Sequence, residues 1–301
     1  MKPYALALSV IVAGGAAGGG CANAGGAVGG DAHQPADGPA RIDGPPGADA
    51  PPDSPSSMHD APGPTPAHVL LSEVMLGPSA GEFIEIVNPT SAAVDLSTYY
   101  LADRNDYWKL PGGALAAQQA DFIVKFPAGA TLAARGVVTV SVGSAAGFTA
   151  TTAIAPTYSI ADGTMAKASA ISLIGSQASL TDAGEIIVLF QWDGTAPLVK
   201  DVDLFVAGAP SAVNGPSSKS QMAQGAGTYL VDVNTLPTQT APAPGTSTKR
   251  IGLEPTGSEH QNGNGNGITG DDETSENTAL SWDGSGYTGP TPGTVPAALT
   301  P

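Results

Sequence analysis

Cysteine and histidine, which often act in catalysis or bind metals, are few in this 301-residue chain, and they lie far apart in the sequence. The single cysteine is Cys21, and the four histidines are His33, His59, His68 and His260. A Ser-His-Asp triad needs a histidine in fixed geometry, but His68 lies at the edge of the folded region and His260 lies in a polar loop. The sequence has no Gly-x-Ser-x-Gly, His-Glu-x-x-His or phosphate-binding glycine motif. These features predict a protein that is not an enzyme, although paired carboxylates of the glycosidase type leave no local signature.

The residues best suited to bind a metal ion are the acids of segment 262–277, NGNGNGITGDDETSEN. Alternating Asn and Gly supply amide carbonyls, and hard carboxylate oxygens come from Asp271, Asp272, Glu273 and Glu276. Calcium binds several oxygens of this kind, but the spacing differs from that of an EF-hand loop. The segment therefore has two interpretations, a calcium site or an acidic loop that only faces solvent.

Three tryptophans offer binding chemistry of another kind, because an exposed indole ring can stack on a sugar. Trp108, Trp192 and Trp282 each lie in a strand-like run. A large apolar ring in such a run usually packs in the core or at the rim of a sheet. We therefore expect packing roles for the three rings, with a carbohydrate platform as the alternative.

The N-terminus has the features of an export signal. Lys2 provides positive charge, and residues 5–13 (ALALSVIVA) form an apolar run too short to span a bilayer permanently. Small residues lead to Cys21, an arrangement that resembles the lipobox of bacterial lipoproteins, although Gly18 replaces the usual leucine. The resemblance implies a signal peptide over residues 1–20 and a lipid on Cys21. The alternative is an ordinary secreted protein cleaved near residues 13–17.

Residues 21–67 are predicted to form a disordered tether. Residues 22–66 are rich in Pro, Gly, Ala and Asp, hold no aromatic residue, and contain six Asp against one Arg. Such a stretch buries too little apolar surface to offset the entropy cost of ordering, and its prolines stiffen it toward polyproline II. We expect it to lift a folded domain away from a membrane, with a leader of no mechanical role as the alternative.

From His68 onward the sequence predicts an all-β fold. Short runs of Val, Ile, Leu, Phe and Tyr alternate with turns rich in Gly, Pro, Asn and Asp, as in a β-sandwich. No helical period is evident, apart from an Ala-rich patch at 114–120 that fits one short turn. The predicted strands are 69–75, 82–87, 99–102, 106–110, 122–126, 136–142, 158–160, 170–174, 185–192 and 198–206.

Strand periodicity also predicts where individual acids point. In 82–87, side chains alternate between two faces, so Glu85 shares a face with Phe83 and Val87. We expect Glu85 to lie beside a polar or backbone donor at a sheet edge. Asp201 and Asp203 are expected to face solvent, as alternating acids on a strand usually do.

Successive blocks of the folded part resemble a bacterial lamin tail domain. LSEVM, EFIEIVNP, VDLS, YYLAD and FPAGATLAARG follow the order of that family within residues 71–136. GEIIVL at 184–189 and PTPG at 290–293 fit its late strand and its terminal proline motif. Thr98 replaces a usual glycine, and the domain is enlarged near 143–180 and 208–280. The resemblance implies an immunoglobulin-like β-sandwich over 68–301, without shared catalytic residues and with an interaction role.

The net negative charge of the chain limits which partners it can bind. The net charge of −16 argues against a nucleic-acid partner, because phosphate binding needs a basic patch.

Together the sequence features described above predict an exported, lipid-anchored, non-catalytic protein at the bacterial outer membrane or cell surface. Its sandwich would serve binding, adhesion or envelope structure, with an unidentified protein or polysaccharide partner. The alternative is a secreted hydrolase or nuclease-accessory factor with an unrecognised site.

Overall fold

The fold is known from a computed structural model. It describes residues 68–115, 120–167, 178–209, 219, 222–229, 241–253, 278–282 and 289–299. The proposed signal peptide, the tether, the predicted strand 170–174 and the acidic segment 262–277 lie outside the described residues. All of the described residues belong to one unit of the chain, Ser57–Pro301.

The described residues form short strands with few helices, so the predicted all-β class is confirmed. Most predicted strands are found within one or two residues of their expected ends. The strands are β1 (Leu70–Met75), β2 (Phe83–Val87), β3 (Val94–Asp95), β4 (Tyr99–Ala102), β5 (Ile123–Lys125), β6 (Thr131–Leu132), β7 (Val137–Ser141), β8 (Tyr158–Ser159), β9 (Ala166–Lys167), β10 (Gly184–Gln191), β11 (Lys200–Gly208), β12 (Ala223–Gln224), β13 (Gly227–Thr228) and β14 (Thr248–Lys249). Among the described residues, the helices are α1 (Ala145–Thr152), α2 (Thr278–Ser281) and two 3-10 helices, Tyr107–Gly112 and Ala297–Leu299.

Two five-stranded sheets make up the sandwich. The first sheet has the order β14-β1-β2-β7-β8, and the second has the order β11-β10-β4-β5-β9. All pairings are antiparallel except that of β7 with β8. Two further two-stranded ribbons, β3-β6 and β12-β13, complete the described pairings.

The main core lies between the two sheets, where alternating side chains of both sheets meet. Burial of this apolar surface is the principal stabilising contribution to such a fold. The alternation predicted for β2 is confirmed, because Ile84 and Ile86 lie in this core whereas Phe83 and Val87 face the opposite side. Core residues from the strands include Leu71, Val74, Val138, Val140, Leu101, Val124, Ile187, Leu189 and Phe205.

The second sheet is covered on its outer face as well. The 3-10 helix at 107–112 and Tyr229 pack there against apolar side chains of β4, β10 and β11. The expectation that Asp201 and Asp203 face solvent is therefore wrong, since they are 0% and 1% exposed. A bulge at Val202 places Asp201 on the outer face and Asp203 on the core side.

Two local predictions were also wrong. Residues 106–110 form a 3-10 helix rather than a strand, with Lys109 N donating to Asp106 O at 2.9 Å. Pro111 lacks the N–H that a strand ladder needs. Helix α1 was not predicted, because Phe148 is its only buried residue and no apolar stripe marks it; Ser144 caps it by accepting from Gly147 N at 3.1 Å.

Candidate functional site

A pair of buried glutamates lies on the outer face of the first sheet. Glu73 of β1 lies directly opposite Glu85 of β2, and both side chains are fully buried. Ser72 Oγ donates to Glu85 Oε1 at 2.9 Å, and Ser247 Oγ donates to Glu73 Oε1 at 2.5 Å. Lys249 Nζ lies 3.9 Å from Glu73 Oε1, so a cation lies beside Glu73.

These two carboxylates bind the closing segment of the chain. Thr291 donates twice to Glu73, from its backbone N at 2.8 Å and from its hydroxyl at 3.0 Å. Gly293 N donates to Glu85 Oε2 at 2.6 Å. The PTPG motif at 290–293 thus lies where its backbone donors meet buried acceptors, which fixes the C-terminal segment on the sheet.

Glu85 has a perturbed pKa. Burial away from water raises the pKa of Glu85 from 4.5 to about 8, the hydrogen bond from Gly293 N lowers it, and the charge of Glu73 raises it. The predicted backbone donor for Glu85 is therefore confirmed. Its predicted place at a sheet edge is wrong, since β2 lies between β1 and β7.

A second buried polar cluster ties the two sheets together. Arg250 Nη2 contacts Asp203 Oδ1, and Arg250 Nε donates to Leu71 O at 2.9 Å. Leu71 N donates to Asp203 Oδ2 at 2.6 Å, which links β11 of one sheet to β1 of the other. His68 lies nearby, and burial lowers its pKa to about 4, so its imidazole is neutral at pH 7.

A third set of acids surrounds Asp103. Burial, together with the charges of Glu185 and Asp121, raises the pKa of Asp103 well above its ordinary value. Phe122 N donates to Asp103 Oδ1 at 2.5 Å, and Thr181 N donates to Glu185 Oε2 at 2.9 Å. Within the described ranges no group of three His, Cys, Asp or Glu side chains is arranged to hold a metal ion.

The accessible candidate site is a groove at the β10–β11 hairpin, which we call the hairpin groove. Its volume is about 150 Å³, and it is lined by Thr98, Gln191, Trp192, Asp193, Ala196, Leu198 and Lys200. The half-buried ring of Trp192 forms one wall and lies 6.2 Å from the ring of Tyr100. Trp192 Nε1 donates to Ala196 O at 2.8 Å, so the hairpin itself holds the indole in place.

Charged groups flank the hairpin groove. Asp193 Oδ1 accepts from Ala196 N at 2.7 Å and from Thr195 N at 2.8 Å. These backbone hydrogen bonds hold the pKa of Asp193 below its ordinary value, so the carboxylate is ionised at neutral pH. Lys200 supplies a cation to the same lining. The groove thus combines one aromatic surface with accessible polar groups of both signs.

The other tryptophans have packing roles, as expected. The ring of Trp108 packs edge-on to Tyr229 at 5.6 Å, and that of Trp282 packs edge-on to Phe205 at 4.9 Å. Both rings are buried. Among the three, only Trp192 presents part of its surface at a groove.

The site residues proposed from the sequence are not among those that the structure describes. Cys21 and the acids Asp271, Asp272, Glu273 and Glu276 all lie outside the described ranges, so these assignments stay predictions. Sequence reasoning missed the pairing of Glu73 with Thr291, although the PTPG motif was a signal for it. In the described part of the chain, no helix has the length and apolarity needed to cross a membrane.

Comparison with known proteins finds a family match for part of the chain. Residues 62–203 match the model of the Lamin Tail Domain, a range that includes β1 to β10 and ends within β11. Among solved structures, a DUF4876 family protein from Bacteroides thetaiotaomicron VPI-5482 is similar at 16% identity and a TM-score of 0.38, over 77% of this chain and 74% of that chain. A comparison with curated proteins found no match. The resemblance seen in the sequence blocks is confirmed: residues 62–203 match the lamin tail domain, an immunoglobulin-like domain.

Proposed function

We propose that this protein is an exported, lipid-anchored module that acts by binding at the bacterial cell surface, without turnover. The similarity of residues 62–203 to the lamin tail domain supports a binding or structural role. The buried acidic side chains Glu73, Glu85 and Asp203 serve as internal ties to backbone donors and to Arg250. The observation that carries the proposal is the hairpin groove, where an aromatic ring and ionised groups stay accessible to a ligand.

The chemistry of the hairpin groove favours a neutral polysaccharide. The flat indole of Trp192 offers an apolar face for a sugar ring, and Asp193 and Lys200 offer an acceptor and a donor for hydroxyl groups. The net charge of −16 disfavours polyanions such as nucleic acids and acidic polysaccharides.

The anchor in this proposal is Cys21. A lone cysteine placed after an apolar export run suits lipidation, and each buried methylene of an acyl chain contributes about 0.8 kcal/mol to membrane binding. The acidic, proline-rich residues 21–67 then hold the domain away from the membrane surface.

Native gels that contain soluble neutral polysaccharides test the ligand class. The wild-type protein is expected to be retarded by at least one of them, whereas Trp192→Ala is expected to migrate as in a gel without polysaccharide. Ile154→Ala is the matched control, because Ile154 is an exposed apolar residue outside the groove. Equal migration of wild type and Trp192→Ala in every gel, with both proteins folded by circular dichroism, would contradict the proposal.

A further inference from the structure

A fully buried lysine and aspartate are in contact on the outer face of the second sheet. Lys219 Nζ lies 2.7 Å from Asp201 Oδ2, and both side chains are 0% exposed. Asp201 is held on β11 opposite Phe190 of β10, so the carboxylate sits on a rigid element. A buried ion pair carries a desolvation cost that its mutual attraction offsets only with excellent geometry.

Aromatic rings enclose this pair. Lys219 Nζ lies 5.6 Å from the centre of the Tyr107 ring and 5.9 Å from that of Tyr229. The Tyr107 ring in turn packs 5.1 Å from Phe190. The rings therefore keep water away from the amine and the carboxylate.

The contact geometry is that of two groups poised to react. Although Nζ and Oδ2 are 2.7 Å apart, Asp201 Oδ2 accepts no directional hydrogen bond in the described part of the chain. Asp201 Cγ is bonded to this oxygen at about 1.2 Å, so Cγ is near the amine. The Tyr107 hydroxyl donates to Asp201 Oδ1 at 2.7 Å and lies 3.1 Å from Lys219 Nζ, so it bridges the two groups.

We propose that Lys219 and Asp201 condense to form an intramolecular isopeptide bond. Proton transfer within the ion pair gives an amine and a carboxylic acid, and Nζ then attacks Cγ. The Tyr107 hydroxyl relays a proton from the nitrogen to the departing oxygen. The Nζ–Cγ bond forms, a Cγ–O bond breaks, and one water leaves, with no change of oxidation state and no co-reactant.

Two physical effects drive this reaction. Fixed contact between the amine and the carboxyl replaces an encounter in solution, which raises the effective concentration of the reactants by many orders of magnitude. The product is a neutral amide, which removes the desolvation cost of a buried ion pair. The bond ties Lys219 to β11 and braces the domain whether or not the hairpin groove is occupied, so it is independent of the proposed function.

Peptide mapping of the purified full-length protein after unfolding tests the bond directly. Trypsin cleaves after Lys and Arg, so free Lys219 yields peptides 201–219 and 220–249. The bond blocks cleavage at Lys219 and yields one peptide, 201–249, that is lighter than its sequence by one water. Recovery of peptide 201–219 at its full mass overturns the proposal. Loss of water within a freely released 201–219 also overturns it, because that pattern marks a succinimide at aspartate.

Variants identify the participating groups. Lys219→Arg keeps the positive charge but is expected to abolish the water loss in peptides that contain Asp201. Lys249→Arg is the matched control, because Lys249 lies beside the buried Glu73 and is expected to leave the 201–219 linkage intact. Tyr107→Phe is expected to slow bond formation, which a time course of the mass change after refolding measures. Persistent water loss in folded Lys219→Arg contradicts the assignment.

Discussion

Protonation of Glu85 should contribute to how the stability of this domain depends on pH. The pKa of Glu85 is raised from 4.5 to about 8 by burial, so the folded state binds a proton that the unfolded state has already released at neutral pH. Stability from this group is complete below about pH 4.5 and is lost as the pH rises to 8. At about 1.4 kcal/mol per pH unit, the full loss amounts to about 5 kcal/mol.

Glu85→Gln isolates this effect. Glutamine resembles the neutral carboxyl in shape, can accept from Gly293 N, and can hydrogen-bond with Ser72 Oγ, but it does not titrate. We expect the variant to match the wild type near pH 4.5 and to exceed its free energy of unfolding by up to about 5 kcal/mol at pH 9. Urea unfolding followed by circular dichroism from pH 4.5 to 9 measures this difference.

Asp95→Asn is the matched control for this experiment. Asp95 is exposed on β3, and the hydrogen bond from Ser97 N holds its pKa below the ordinary value. It is therefore ionised in both states above pH 5, and its substitution should leave the pH dependence unchanged. A Glu85→Gln variant that is less stable than the wild type at pH 9, or a difference that is constant between pH 5 and 9, would refute the reasoning.

The remaining predictions concern the tether, the acidic segment and the tie between the sheets. Deleting residues 23–65 should leave the melting temperature unchanged, because this segment offers little to pack; a large decrease would show that it docks on the domain. If segment 262–277 binds calcium, millimolar calcium should raise the melting temperature of the wild type and not that of Asp272→Asn. Equal melting curves with calcium and with chelator would favour a solvent-facing loop. Arg250→Met should destabilise the domain by about 3–5 kcal/mol in urea unfolding, because it leaves a buried carboxylate uncompensated; Asp203→Asn in the same chain should recover part of this loss.

The strands of the two sheets could be predicted from the sequence, whereas the buried polar contacts could not. Strands such as β2 and β10 were found because apolar alternation and turn residues are local signals. The burial of Asp201 and Asp203 was not predictable in this way, since it depends on a bulge and on a helix that covers the second face. Strand periodicity assigns side chains to one face of a sheet or the other, but it does not reveal whether another element covers that face.

The candidate sites show the same limit. The contact between Lys219 and Asp201 joins residues 18 positions apart through a region without strand periodicity. The hairpin groove forms only when Thr98 meets the β10–β11 hairpin. The position of Glu85 opposite Glu73 required the register of β1 on β2, which a bulge near Ser72 sets. Such long-range pairings follow from tertiary structure and not from local composition.

Protease treatment of intact cells is the most direct test of the proposal that this lamin tail domain is displayed on the surface. The tether at 21–67 is rich in Pro, Gly and Asp and should be cut first. External protease is expected to release the folded domain into the medium while a periplasmic control protein stays intact. The Cys21→Ser variant is expected to leave the membrane fraction. A domain that resists protease in intact cells, and is cut only after lysis, would contradict surface display.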